Sequence, residues 1–246
     1  YELNNKKAPF DNANIRKALN LSLDRNVITD KVLGQGQTPT YVFTPTYIEE
    51  GHLIQQPAYS KEPMAQRNEE AIKLLEEAGY SKANPLKFSI LYNTNENHKK
   101  VAIAAASMWK ANTKGLIDVK LENQEWKTYI DSRRAGRYDA ARAGWNADYN
   151  QATTFGNYFL SNSSNNTAKY ANPEYDKAIA ESYVATDAEG RAKAYAKAEE
   201  ILAKDFGIVP IFNYVNPRLV KPYVKGYSGK DPQDHIYLRN LYIIKH

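Results

Sequence analysis

Arg137-Tyr-Asp-Ala-Ala-Arg-Ala-Gly-Trp-Asn-Ala-Asp-Tyr-Asn150 is the stretch on which the reading of the fold turns. Tyr138 to Ala143 is a short run bounded by Gly136 and Gly144, and it reads as a strand. The chain then leaves the strand carrying Arg142, Trp145 and Asp148, which are a fixed cation, a flat aromatic wall and an anion. An Arg among alanines in a strand is costly to bury unless a negative group meets it. That group is either internal, with Asp139 or Asp148 beside a core Trp, or it arrives with a ligand.

Upstream, the pattern predicts two more strands and the helices between them. Pro85 to Tyr92 alternates, with Leu86, Phe88 and Ile90 on one face. An Ala-rich helix follows from about His98 to Lys110, carrying Val101, Ile103 and Met108, and Gly115 breaks it. Ile117 to Leu121 reads as a strand and Glu125 to Arg134 as a short helix. The order is β-α-β-α-β with short connections. Right-handed crossovers then place the strands parallel, with helices on the faces. In such open sheets a ligand sits beyond the carboxyl ends of the strands. Tyr92 to His98 and Arg142 to Asp148 both follow such ends, so sheet geometry and charged residues point to one place.

The remaining segments surround this unit. Asn12 caps a helix carrying Ile15, Ala18, Leu19 and Leu23, and Asp24 caps another with Val27, Ile28 and Val32 inward, ending at Gly34. Residues 34–63 hold four prolines and little periodicity. They read as a long ordered loop of the kind that lines a site. Ala71, Ile72, Leu74, Leu75 and Ala78 make a helical face stopped by Gly79. Residues 150–170 form a polar loop with Phe155, Tyr158 and Phe159 tucked inward. Pro173 opens one helix at its first position, and a second runs from about Asp187 to Lys204. Ile208 to Val215 is an apolar strand interrupted by Pro210, and Ile236 to Ile244 a late one, beyond Pro222, Gly226, Gly229 and Pro232.

Composition excludes several classes. Of 246 residues, 33 are Lys or Arg and 28 Asp or Glu, and the +5 net charge is scattered with no basic block for nucleic acid. No apolar run approaches a membrane span. There is no cysteine, which removes disulfides, thiolate metal sites and a cysteine nucleophile. The histidines His52, His98, His235 and His246 show no metal-ligand spacing, and no Gly-x-Ser-x-Gly elbow, dinucleotide loop or phosphate loop occurs. Glu76-Glu77 and Glu199-Glu200 lie on amphipathic helices and read as solvated faces. The expectation is a binding protein, with no enzyme activity, cofactor or metal. Nineteen tyrosines suit an adaptable recognition surface.

Ala141-Arg-Ala-Gly-Trp-Asn-Ala-Asp-Tyr-Asn150 resembles the ligand strand of periplasmic oligopeptide-binding proteins, the receptors of ABC importers. Asn123-Gln-Glu-Trp-Lys127, Leu91-Tyr-Asn-Thr94 with His98, and Leu160-Ser-Asn-Ser-Ser164 carry the same resemblance, as does the span from Arg218-Leu-Val-Lys-Pro222 to Tyr242-Ile-Ile-Lys-His246. Murein-peptide-binding proteins share many of these strings. The resemblance implies an α/β fold: one lobe of a two-lobed binding protein, a mixed sheet flanked by helices, plus a C-terminal segment of the other lobe. It places the lobe at residues 1–216, starting at an interlobe crossing, and the segment at 217–246. It implies a missing N-terminal half, a periplasmic monomer, short peptides as ligands and an inner-membrane ABC permease as partner.

By the same resemblance, Asp148 anchors the peptide amino terminus and Ala143, Gly144, Trp145 and Asn146 pair with its main chain. Arg142 and His98 meet the carboxylate of shorter peptides. Trp126, Arg133 and Trp145 are side-chain pocket walls, and Tyr214 faces the ligand from beside the crossing. Asn146 stands where some relatives have Cys, and Leu33 where some have Lys, so the preferred peptide length is open. A receptor of the same fold for a sugar or a metal chelate, or one specific for murein peptide, is the alternative reading.

Overall fold

The computed structural model describes residues 1–229, 231 and 233–245. Lys230, Pro232 and His246, which close the tail motifs noted above, lie outside the described residues. In chain order the main elements are β1 (Glu2–Leu3), α1 (Ala13–Leu21), α2 (Arg25–Val27), β2 (Thr38–Pro39), α3 (Met64–Glu77), β3 (Leu86–Asn93), α4 (Glu96–Asn112), β4 (Ile117–Gln124), α5 (Trp126–Arg134), β5 (Ala140–Ala141), α6 (Thr153–Gly156), α7 (Pro173–Val184), α8 (Ala188–Lys204), β6 (Phe212–Asn213), β7 (Val224–Lys225) and β8 (Tyr242–Ile243).

The sheet runs β1-β5-β3-β4. β3 pairs parallel with both β4 and β5, as the alternation predicts, and β1 closes the other edge antiparallel, so the sheet is mixed. β3 is central and buried on both faces: Leu86, Phe88 and Ile90 face one way, Leu91 and Asn93 the other. Asn95 caps α4 by accepting from the Asn97 and His98 amides, so the helix starts two residues before the expected point. Its inward face is Val101, Ala102, Ala105 and Trp109, whereas Ile103 is exposed. The indole, with the largest area to bury, enters the core. There Trp109 Nε1 donates to the Leu19 carbonyl at 2.9 Å.

The second helix also departs from expectation. One α-turn, Arg25–Val27, widens into a π-helix over Ile28–Leu33 that ends at Gly34 with φ +64°. Val27 is exposed and Arg25 is fully buried. Arg25 reaches carbonyls that would otherwise be orphaned: Nε donates to Pro210 at 2.7 Å and Nη1 to Asn20 at 3.0 Å, while the guanidinium lies 4.1 Å from the Tyr41 ring centre. Two neighbours on α1 do the same. Arg16 donates to the Asp205 and Phe206 carbonyls, and Asn20 to that of Ile208. These donors hold the segment 205–213. One side of it pairs with Tyr1 and Glu2, the other with Thr38 to Thr40. Pro210 fits because its missing N–H falls outside those pairings.

A second core gathers the aromatic residues of the 150–170 loop. Phe155, Tyr158 and Phe159 are buried as expected, but on short helical turns, and Phe43 packs on all three with ring centres 4.8–5.4 Å apart. α7 and α8 cover this core. Glu199 on α8 is buried, against the expectation of a solvated Glu199-Glu200 face. It replaces a carboxylate in water with two backbone donors, described below. The predicted strand Ile236–Ile244 shrinks to the β7–β8 pairing, with a 3₁₀ turn at Leu238–Asn240. Leu219, Leu238 and Ile243 in this tail are largely exposed.

Truncating Trp109 to Ala removes the largest fully buried side chain and a hydrogen bond. Urea unfolding of the variant is expected to show a loss of about 3–5 kcal/mol.

Candidate functional site

The carboxyl end of β5 and the start of α4, which follows β3, border one cavity of about 590 Å³. Its walls are the strand exit from Arg142 to Ala147, the segment from Thr40 to Ile48, the turns bearing Phe155, Tyr158 and Phe159, and the segment from Ile208 to Asn216. His98 and Val101 enter from the start of α4, and Tyr1 and Glu2 from the chain start. The place is the one the sheet rule selects.

The exit of β5 is unusual backbone. The Arg142 amide still donates to the Leu91 carbonyl at 2.8 Å, and the Arg142 carbonyl accepts from the Tyr129 hydroxyl. Pairing then stops. Among the described residues no hydrogen bond engages the backbone of Ala143, Gly144, Trp145 or Asn146. All four line the cavity. Gly144 lets the Tyr214 ring approach this backbone closely: a Cβ there would come within 3.0 Å of the ring, which would have to shift. A row of free amides and carbonyls beside a cavity is a template for an added strand.

Arg142 is half-buried. Its Nη2 donates to the Tyr214 hydroxyl, and its Cζ lies 5.7 Å from the Tyr214 ring centre. Among the described residues it has no ion pair, so the internal alternative does not hold. Asp139 is engaged by Lys7 at 2.5 Å and by the Ser89 amide and hydroxyl. Asp148 accepts from the Thr154 hydroxyl at 3.1 Å, and its own amide donates back to that oxygen at 3.0 Å. Its carboxylate is exposed beside the cavity, between the lining residues Ala147 and Asn150, and is not itself part of the lining.

Of the other residues singled out by sequence, His98, Trp145, Asn146 and Tyr214 line the cavity, while Trp126 and Arg133 do not. Trp126 is 57% exposed on α5, beside Tyr129. Arg133 is buried behind the wall because Glu2 needs a cation there. Arg133 Nη2 donates to Glu2 Oε2 at 2.9 Å, to the Tyr158 hydroxyl at 3.1 Å and to Thr167 Oγ1 at 3.0 Å. Burial opposes the Arg133 charge, but Glu2 more than offsets this and raises its pKa. Glu2 and Tyr158 reach the cavity, and Trp145 packs edge-on against Tyr158 with ring centres 5.0 Å apart. Sequence reading missed Glu2, Phe43 and Tyr158 as wall residues. For Tyr158 the signal was its inward aromatic neighbours in the 150–170 loop, and for Phe43 only the length of the 34–63 loop, which carries no periodicity to single it out.

His98 lies in the first turn of α4, where burial, and then the Arg142 charge, lower its pKa from 6.5 to about 4. The fold therefore favours the neutral ring. Stability from that preference is complete above pH 6.5 and is lost as pH falls through about 4. An NMR titration of the ring is expected to give a midpoint near 4, and His98→Gln should flatten the acid loss of stability in that window.

Residues 1–167 match the family model for bacterial extracellular solute-binding proteins, family 5, middle region. The whole chain is 98% identical to a 46% portion of the periplasmic oligopeptide-binding protein OppA of Haemophilus influenzae, and 44% identical to a 45% portion of the periplasmic murein peptide-binding protein MppA of Escherichia coli. It thus spans about half the length of the curated relatives it matches. A crystal structure of H. influenzae OppA in complex with RPPGFSPFR superposes on 99% of the chain, covering 48% of that molecule, with a TM-score of 0.93 and 97% identity. This likeness, over a mixed sheet with an open cleft at its strand ends, shows that the chain belongs to family 5 of the bacterial extracellular solute-binding proteins.

Proposed function

We propose that the chain is the C-terminal half of a two-lobed oligopeptide receptor that hands short peptides to an ABC permease. Residues 1–216 are its peptide-binding lobe and 217–246 a segment that completes the other lobe. The observation that carries this is the unpaired backbone of Ala143 to Asn146, set between a cation and an anion that do not pair with each other. A peptide offers the complement of all three: backbone amides, a carboxylate and an ammonium.

In this reading the peptide main chain pairs with residues 143–146. Arg142 meets the carboxylate of a short peptide after releasing the Tyr214 hydroxyl, and His98 joins it as a neutral ring N–H donor. Asp148 anchors the ammonium. Trp145 forms a side-chain pocket wall, and Arg133 fixes the wall from behind through Glu2 and Tyr158. The names of the relatives support a periplasmic location and a peptide ligand. No helix among the described residues is long and apolar enough to cross a membrane.

Calorimetry with a tripeptide on the full-length receptor tests the assignment. Asp148→Ala is expected to weaken binding by about 2–5 kcal/mol, as for a charge pair broken on one side. Acetylating the peptide amino terminus should cost the wild type a similar amount and the variant little. Unchanged affinity in both cases removes Asp148 from the site, and binding of a sugar in place of peptide overturns the reading.

A further inference from the structure

We propose that Glu199 is a positioning residue for the cleft, setting the aromatic wall by holding the backbone of Phe43 and Thr44. The proposal rests on the receptor reading and concerns the same cavity. Glu199 lies on α8, more than 150 positions from the segment it holds. Its Oε1 accepts from the Phe43 amide at 2.5 Å and its Oε2 from the Thr44 amide at 3.1 Å. The residue is 5% exposed, and among the described residues no ion pair supplies it with a cation. A buried carboxylate without a counterion is an expensive way to hold a loop. Burial raises its pKa, and the Phe43 amide together with the Thr44 hydroxyl and amide pull against that rise without cancelling it.

The two amides it takes belong to successive residues inside the cavity wall. The consequence reaches the cleft through Phe43. That ring packs edge-on against Phe155 and Phe159 and tilts against Tyr158, and Tyr158 in turn meets Trp145 of the unpaired strand exit edge-on. Nearby, the segment is held by weaker means: Thr40 Oγ1 donates to the Val42 carbonyl, and the Tyr41 amide donates to Gln56 Oε1. A carboxylate offers two acceptors and no donor, so it accepts two adjacent N–H groups at once. An amide side chain of the same shape turns a donor toward one of them. Glu199 thereby fixes where the Phe43 ring stands relative to Trp145, the surface against which a ligand side chain would pack.

The test is Glu199→Gln in the full-length receptor, read by hydrogen exchange at the Phe43 and Thr44 amides and by tripeptide calorimetry. Exchange at both amides should rise about tenfold or more, the equivalent of losing a charge-assisted hydrogen bond, while exchange in β3 stays unchanged. Tripeptide affinity should fall several-fold, and Glu199→Asp, which keeps the carboxylate on a shorter arm, should restore part of it. If the Gln variant does not fold, the Asp variant alone carries the measurement, with smaller changes of the same sign. Unchanged exchange at the two amides overturns the clamp. Raised exchange with unchanged peptide affinity overturns the positioning role. A wild-type receptor that binds no peptide overturns the receptor reading instead, and the exchange data then still decide the clamp.

Discussion

The segment from Asp205 to Asn213 is the constraint on which the rest of the structure depends. It threads between the chain start and residues 38–40 and belongs to no long strand of its own. Its carbonyls would be unsatisfied without Arg16, Asn20 and Arg25, three polar residues that α1 and α2 turn into the core. Burying two guanidinium groups is expensive, and carbonyl oxygens in fixed positions compensate them. With this segment held, its continuation from Ile211 to Asn216 stands as one wall of the cleft, and Tyr214 reaches across to Arg142.

The opposite wall is built on the same principle, with the sign reversed. Buried carboxylates, Glu2 and Glu199, collect donors from distant parts of the chain. Glu2 is neutralised by Arg133 and joined by Tyr158 and Thr167, so the pair locks the chain start to α5 and to the aromatic turns. Between these walls the sheet stops short. β5 lasts two residues, and the backbone that would have extended it is left open to the cavity. The cleft thus combines rigid walls with an unfinished strand, which suits recognition of a main chain independent of its side chains.

Much of this was legible in the sequence because it depends on local patterns. The alternation of Leu86, Phe88 and Ile90, the glycines at 79, 115 and 136, and the caps at Asn12 and Asp24 each specify their element through nearest neighbours. The placement of Arg142, His98, Trp145 and Tyr214 around one cavity also followed from strand ends and motif strings. Local pattern failed where a distant partner decided the outcome. Val27 looked like a core residue, yet Arg25 took the inward position because the carbonyl of Pro210 awaited a donor. The Ala-rich pattern of α4 did not single out Trp109, whose indole is the side chain that enters the core and donates to Leu19 on α1. Glu199 beside Glu200 looked like a wet helix face, and nothing near it in sequence hints at Phe43.

The sequence by itself determined the α/β layering, the parallel core of the sheet and the position of the open strand ends, since these follow from hydrophobic period and connection length. It also put a cation, an aromatic wall and an anion within one short exit. Only the tertiary structure decided that Arg142 and Asp148 ignore each other, that Arg133 serves Glu2 behind the wall, and that Glu199 holds Phe43. The reason is physical: a buried charge finds its partner through space, at separations of more than a hundred residues that periodicity cannot encode.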